Sequence, residues 1–287
     1  MTPDEQQLIY TQAEEIFSTT VSLMVALSGY GAFVLGFIIT VQLLTIRGSS
    51  RGRPQTILLA CLVASLICFT WTIFSHGGTV LMNDLYAFMQ TLEQGIIAQT
   101  QAANKKHMIW WYMFDWPVTT SILLSDGIVV WRAWCLFQQH RFWRLMLATC
   151  MIANIGINVA DCIWADVRLG AADGPTILDW LSAAFSLVVN MVATILVAYT
   201  AWTHHRDMAA LNGSLVRKGT RGESILILLI ESGAIFCAIQ SLYIIILGLH
   251  ASGVINSRWP AEITVALLAV ASACYPVTVI TLVPRCQ

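Results

Sequence analysis

The sequence predicts an all-α polytopic membrane protein, a seven-transmembrane helix bundle, and three observations predict it. Hydrophobic residues fill 57% of the 287 positions and charged residues only 11%. With a mean hydropathy of +0.71, the chain is far too apolar for a soluble domain. Seven runs are long enough to cross a bilayer of about 30 Å, which takes about 20 residues. The polar residues inside several of those runs recur every three or four positions, so they share helix faces.

The runs fall at about 17–45, 56–82, 109–137, 142–166, 176–203, 224–250 and 260–283. The first is rich in glycine and alanine, with Gly29, Gly31 and Gly36 open to close approach by a neighbour. The second carries Ser65, Cys68, Trp71 and Thr72, then His76, expected as a solvated outer-end residue, and a Gly77-Gly78 break. A long connector over about 83–107 has apolar residues at near-helical spacing, Leu85, Phe88, Met89, Leu92 and Ile96. A short lid helix would fit that pattern; an ordinary amphipathic connector is the preferred reading.

The third run, His107 to Phe137, carries two carboxylates. Asp115 and Asp126 are eleven residues apart, which at about 100° per residue returns them to one face, about 16 Å apart along the axis. Tyr112 and Thr119 share that face, which therefore reads as the wall of an internal polar site. In the fourth run Asn154, Asn158 and Asp161 stand at i, i+4 and i+7. The fifth continues with Asp179, Ser182, Ser186 and Asn190, and the sixth places Glu231 before Gln240 and Tyr243. The seventh opens with Glu262 and contains Ser272, Tyr275 and Pro276, where a kink is expected.

Lysine and arginine orient the chain. Arg47, Arg51, Arg53, Arg132, Arg141, Arg144, Arg206, Arg217, Lys218, Arg221 and Arg285 fall on one side, against Lys105, Lys106, Arg168 and Arg258 on the other. The positive-inside rule puts the N-terminus outside and the C-terminus in the cytosol. The first sixteen residues are polar and acidic and show no cleavable signal, so the first helix serves as the insertion signal. The Asn212-Gly213-Ser214 sequon falls on the cytosolic side and is expected to be unmodified. Among the eight cysteines none lies within an outer loop, which removes a loop-stapling disulfide. No repeat or second domain is visible.

Depth sorts the intramembrane carboxylates into two groups. Asp115, Asp161, Asp179 and Glu262 fall in the outer third, Asp126 and Glu231 in the inner half. Each charge would cost about 2.5–3.5 kcal/mol at the centre of the membrane, so these groups face one another, water or a proton. The outer group sits among Trp71, Trp110, Trp111, Tyr112, Trp116, Trp164, Trp180 and Trp259. Tryptophan and tyrosine collect at membrane interfaces regardless of function, but Trp116 and Trp180 adjoin carboxylates. Acids with aromatic walls suit a cationic ligand, through charge and cation–π contact. They suit equally an acid-initiated carbocation cascade. In the inner group Asp126, Arg132 and Glu231 suggest a polar layer in which an Arg132–Glu231 pair joins the third and sixth helices.

Sharper signatures are missing. No lysine lies in the seventh run to carry a retinal Schiff base, and no HExxH, paired CxxC, P-loop or GxSxG occurs. Asn154, Asn158, Asp161 and Asp166 depart from the spacing of Asp-rich diphosphate–Mg²⁺ motifs. No metal and no cofactor is expected, and nothing points to nucleic acid. The absence of an inverted repeat or paired broken helices argues against a transporter.

The segments LLSDGIVVWRAWCLF, IESGAIFCAIQSLY and YPVTVITLV resemble a large group of uncharacterised seven-helix proteins of basidiomycete fungi. The resemblance spans most of the chain and implies a receptor-like bundle. It carries no activity onto residues, and DRY and NPxxY motifs are missing, WRAW and YP standing in comparable places.

The expectation is therefore a receptor-like protein of the plasma membrane or endoplasmic reticulum. Its outward small-molecule pocket is formed by Tyr112, Asp115, Trp116, Asn158, Asp161, Asp179, Trp180 and Glu262. Its switch comprises Asp126, Arg132 and Glu231, and its partners are the bilayer, a small-molecule ligand and an undefined cytosolic protein. The alternative is an integral-membrane isoprenoid (terpene) cyclase with Asp115 or Asp161 as general acid and a lipophilic substrate.

Overall fold

A computed structural model describes residues 3–46, 53–86, 96–137, 141–168, 176–211, 221–255 and 257–282. They form α1 (Pro3–Ile46), α2 (Arg53–Asp84), α3 (Ile96–Leu136), α4 (Arg141–Arg168), α5 (Ile177–Leu211), α6 (Arg221–Ala251) and α7 (Trp259–Leu282). Adjacent helices form an arc: α1 packs on α2 and α7, α7 on α6, α6 on α5, and α5 on α4. α3 packs on α2, α4, α5 and α7, which makes it the central helix.

Six of the helices are long and apolar enough to cross a bilayer, and α3 is the exception. Its position explains this. A helix shielded on several sides by protein can carry Asp115, Asp126 and a run of Ser and Thr at the expense of hydropathy, whereas its neighbours must satisfy lipid. Their outward faces bear large exposed apolar side chains, among them Leu35, Ile67, Leu145, Ile152, Ile195 and Ile245. The interior holds Ser75, Ser125, Asp126 and Asn154, each wholly buried. Apolar outside and polar within is the reverse of a soluble protein and fits a hydrocarbon solvent.

Several boundaries differ from the sequence reading. α1 begins at Pro3, so the acidic leader is helical; 44 residues at 1.5 Å give about 66 Å, twice the hydrocarbon thickness. The Gly77-Gly78 pair does not break α2, which continues to Asp84 and a π turn at 85–86. Gly78 instead admits Trp110, whose ring would stand 2.3 Å from a Cβ there. His76 is buried, not solvated, and meets Phe114 edge-on with ring centroids 5.2 Å apart. Residues 96–107, read as connector, are the first turns of α3. Residues 87–95, the sequon at Asn212, and the basic residues Arg47, Arg51, Arg217, Lys218 and Arg285 lie outside the described residues.

Small residues set the close contacts. Gly29 and Gly36, seven apart on one face of α1, receive Val270 and Val277, also seven apart, from α7. A Cβ would come within 2.2 Å of Val270 at the first site and 2.8 Å of Val277 at the second. Gly31, between them in sequence, faces open space.

Proline acts through the carbonyl it releases. Pro117 lies inside α3 and has no N–H to offer Met113 four residues back. The Met113 carbonyl instead accepts bonds from Trp71 Nε1 at 3.1 Å and Ser75 Oγ at 3.2 Å, both from α2. The helix break that proline would impose thus becomes a polar clamp between α2 and α3.

Candidate functional site

Five helices enclose a cavity of about 680 Å³, each presenting one face to it. α3 offers Phe114, Asp115, Val118, Thr119 and Ile122, and α4 offers Asn158, Asp161, Cys162, Ala165 and Arg168. These are steps of three and four, the spacing that aligns side chains along a helix. α5 contributes from Asp179 to Ser186, α6 from Gln240 to His250, and α7 from Ala261 to Leu268. Asp115, Asn158, Asp161, Asp179 and Glu262, singled out in the sequence, all line it.

The aromatic residues expected beside them do not. Tyr112 donates its hydroxyl to the Asp166 carbonyl at 3.2 Å, and Trp116 Nε1 donates to the Asp166 carboxylate at 3.0 Å. Trp116 is 40% exposed. The ring of Trp180 packs at Gly248, where a Cβ would meet it at 2.9 Å. The carbocyclic rings that do line the cavity are Phe114 and Tyr243. Tyr243 lies three residues after Gln240, and Leu247 and His250 continue that face of α6, so the spacing held a signal that the carboxylates overshadowed.

The acids are not equivalent. Asp179 belongs to the start of α5: the Thr176 N–H donates to its carboxylate at 2.5 Å, and its own N–H donates to Thr176 Oγ1 at 3.2 Å. This is a reciprocal cap, with Asp in place of the more common Glu. Asp161 accepts the Ser182 hydroxyl at 2.7 Å on one oxygen, while the other is enclosed without a hydrogen-bond donor among the described residues. Cys162 Sγ donates to Thr119 Oγ1 at 3.2 Å, joining α3 and α4 at the level of Asp115 and Asp161.

Beneath the cavity the polar groups form one network around Asp126, which is wholly buried. Its Oδ2 accepts from Ser186 Oγ at 2.6 Å and Asn154 Nδ2 at 2.8 Å, and its Oδ1 accepts from Asn190 Nδ2 at 2.6 Å. Gln240 ties the far side: its Nε2 donates to Ser186 Oγ at 2.8 Å, and its Oε1 accepts from Asn190 at 3.1 Å. Asn158, on the cavity wall, donates to Asn154 Oδ1 at 3.0 Å. Donors from α4 and α5 therefore converge on the α3 carboxyl group, with α6 joined through Gln240, and every bond to it arrives from a donor. That is the pattern of an ionised acceptor.

This corrects the inner grouping. Asp126 belongs with the floor of the cavity, because Ser186 and Gln240 serve both. Glu231 is exposed on α6, and Arg132 turns to α7. One guanidinium nitrogen of Arg132 donates to the Tyr275 hydroxyl, and its carbon stands 5.4 Å from the centroid of that ring. The structure thus ties α3 to α7 at this depth, through a tyrosine that is 4% exposed.

Among the described residues no group of three or more His, Cys, Asp or Glu side chains is arranged to hold a metal ion. Compared with known protein families, curated proteins and solved structures, the chain matches none.

Proposed function

We propose that the protein is a receptor-like membrane sensor whose ligand is a small molecule held in the five-helix cavity on its outward side. One observation carries this: two cavity residues, Ser186 and Gln240, belong to the network of the buried Asp126, Ser186 by donating to its carboxylate and Gln240 by donating to Ser186. A ligand that displaced either side chain would alter contacts among α3, α4, α5 and α6 together. Below Asp126 an apolar cluster of Val129, Ala133, Val189, Ala193, Val197 and Tyr275 fills the bundle. A solute entering from the cavity therefore meets a packed layer, and its effect passes to the other side through helix movement. The orientation drawn from the basic residues makes the cavity side external.

The cyclase alternative retains its acids but loses much of its aromatic wall, since Trp110, Trp116, Trp164 and Trp180 pack elsewhere. The sensor reading accounts for more of the arrangement.

The test uses protein reconstituted in nanodiscs and a chemically broad small-molecule panel, with thermal stability as the first readout. Hydrogen exchange is then measured with and without a binder. Binding at the cavity is expected to change amide exchange around Arg132 and Tyr275. Unchanged exchange there at saturating ligand would refute the sensor reading, as would no binder anywhere in the panel. Conversion of an isoprenoid substrate to a cyclised product would favour the enzyme.

A further inference from the structure

Acids outnumber bases in the cavity, and position sharpens the imbalance. The lining holds Asp115, Asp161, Asp179 and Glu262 against Arg168, Arg258 and His250. Arg168 ends α4, is exposed, and lies with its guanidinium carbon 5.6 Å from the Trp164 ring centroid. Arg258 is exposed just before α7. Both cations thus stand at helix ends. Asp161 is seven residues inside Arg168, about 10 Å along the axis. Asp179 is engaged in its cap and also lies against the Asp161 carboxyl.

What remains inside is a set of acceptors with little to accept. One Asp161 oxygen is enclosed with no donor. The Asp115 carboxylate and the Tyr243 hydroxyl make no hydrogen bond among the described residues, although both line the cavity. Asp115 also lies within electrostatic reach of Asp166, Asp161, Asp179 and Glu262. Enclosed polar atoms without partners are exceptions that call for an explanation. Acceptors on several helices, facing a cavity whose lining also includes Val118, Ile122, Leu247, Val265 and Leu268, describe a complementary shape: several N–H donors with positive charge at one end and an apolar body at the other.

We infer that the ligand is an organic ammonium, a small molecule with a protonated amine and an apolar body. The amine lies between Asp115 and Asp161, and the body packs toward Ile122 and Leu268. This rests on the small-molecule reading given above and adds its chemical class. A neutral ligand would leave the carboxylates unmatched, and an anion would meet them as like charges.

The test uses matched probes on two different bodies: tryptamine, tryptophol and indole-3-acetate, then hexylamine, hexanol and hexanoate. Dissociation constants are measured on the full chain in nanodiscs, with protein-free nanodiscs subtracted to remove partition into lipid. In at least one set the amine is expected to bind about thirtyfold more tightly than its alcohol, and the carboxylate more weakly than either. Asp115→Asn and Asp161→Asn should each remove most of that preference, through weaker binding of the amine. Asp115→Glu, which keeps the charge, should retain it, which separates loss of charge from misfolding. Glu231→Gln, exposed on α6 and off the cavity, should have no effect on it.

Equal binding of amine and alcohol, tighter binding of the carboxylate, or an amine preference indifferent to both asparagine variants overturns the ammonium assignment. So does failure of both amines to bind. In each of these cases the small-molecule site stands as long as the broad panel contains a binder; it falls only if that panel is empty as well.

Discussion

Removing the Asp126 carboxylate tests the centre of the bundle most directly. Asp126→Ala leaves Asn154 Nδ2, Asn190 Nδ2 and Ser186 Oγ without the acceptor they share. Helices of a membrane protein remain inserted when their packing is lost, so the cost of holding a carboxylate in the bilayer enters both states and largely cancels. What differs is the set of interhelical bonds. Such bonds average about 0.6 kcal/mol, with about 1.7 at the upper end. Three of them give a loss of about 2–5 kcal/mol, and the ionised acceptor favours the upper half of that range. Asp126→Asn keeps one carbonyl oxygen and is expected to lose less. The assay is unfolding in mixed micelles with increasing denaturing detergent. A double-mutant cycle with Asn190→Ala should recover a coupling of about 0.6–1.7 kcal/mol, because removing both partners leaves no orphan between them. An Asp126→Ala protein within about 0.5 kcal/mol of the parent, or zero coupling to Asn190, would refute this account of the network.

Three further outcomes follow from the packing, all read in the same unfolding assay. Gly29→Leu should destabilise by about 1–3 kcal/mol, since Val270 occupies the space, whereas Gly31→Leu should be tolerated; equal effects would contradict the α1–α7 fit. Trp71→Phe should cost about 0.5–1.5 kcal/mol by removing a donor to the Met113 carbonyl. In a Pro117→Ala background, where the helix again supplies an N–H, that cost should shrink; an unchanged cost counts against the clamp. Tyr275→Phe should cost about 1.5–3 kcal/mol by removing the hydroxyl that accepts from Arg132. Exposed Glu231→Gln should fall within about 0.5 kcal/mol of the parent; a large Glu231 effect would restore the pairing expected from sequence.

Helix count, rough spans and the polar faces were legible because each is a one-dimensional property. Length, hydropathy and a period of three to four need no knowledge of neighbours. Asp115, Asn158, Asp161, Asp179 and Glu262 were therefore found together, and they share a cavity. What failed needed the angular position of one helix against another. Glu231 and Arg132 have suitable depths, but depth does not say that Glu231 points outward while Tyr275 comes round to meet the arginine. The tryptophans misled for a similar reason. Adjacency in sequence, as at Asp115-Trp116 and Asp179-Trp180, rotates the second side chain by about 100°, away from the face its neighbour occupies. Helix ends were blurred too, because polar turns outside the membrane carry no hydropathy signal, as at the start of α1 and α3.

The two halves of the bundle are built from opposite materials, and α3 joins them. Its outer half presents Asp115 and Thr119 to the cavity, and its middle holds Asp126 beneath the floor. Its inner part packs Ile128, Val129, Val130 and Ala133 into the apolar cluster before Arg132 reaches α7. Polar networks resist displacement because every broken bond leaves a buried orphan, whereas apolar layers slide with smaller changes in contact. A shift of Ser186 or Gln240 therefore moves α5 and α6 against α3 as a unit, carried by bonds to Asp126. The movement passes into the layer below, where the contacts are least directional and where the Arg132–Tyr275 bond is positioned to register it. Tyr275→Phe separates the two tiers on this reasoning: it should leave ligand affinity at the cavity intact while abolishing the change in amide exchange that binding produces around Arg132. If the variant lost affinity and the exchange response together, the lower contact would be part of the cavity's own support.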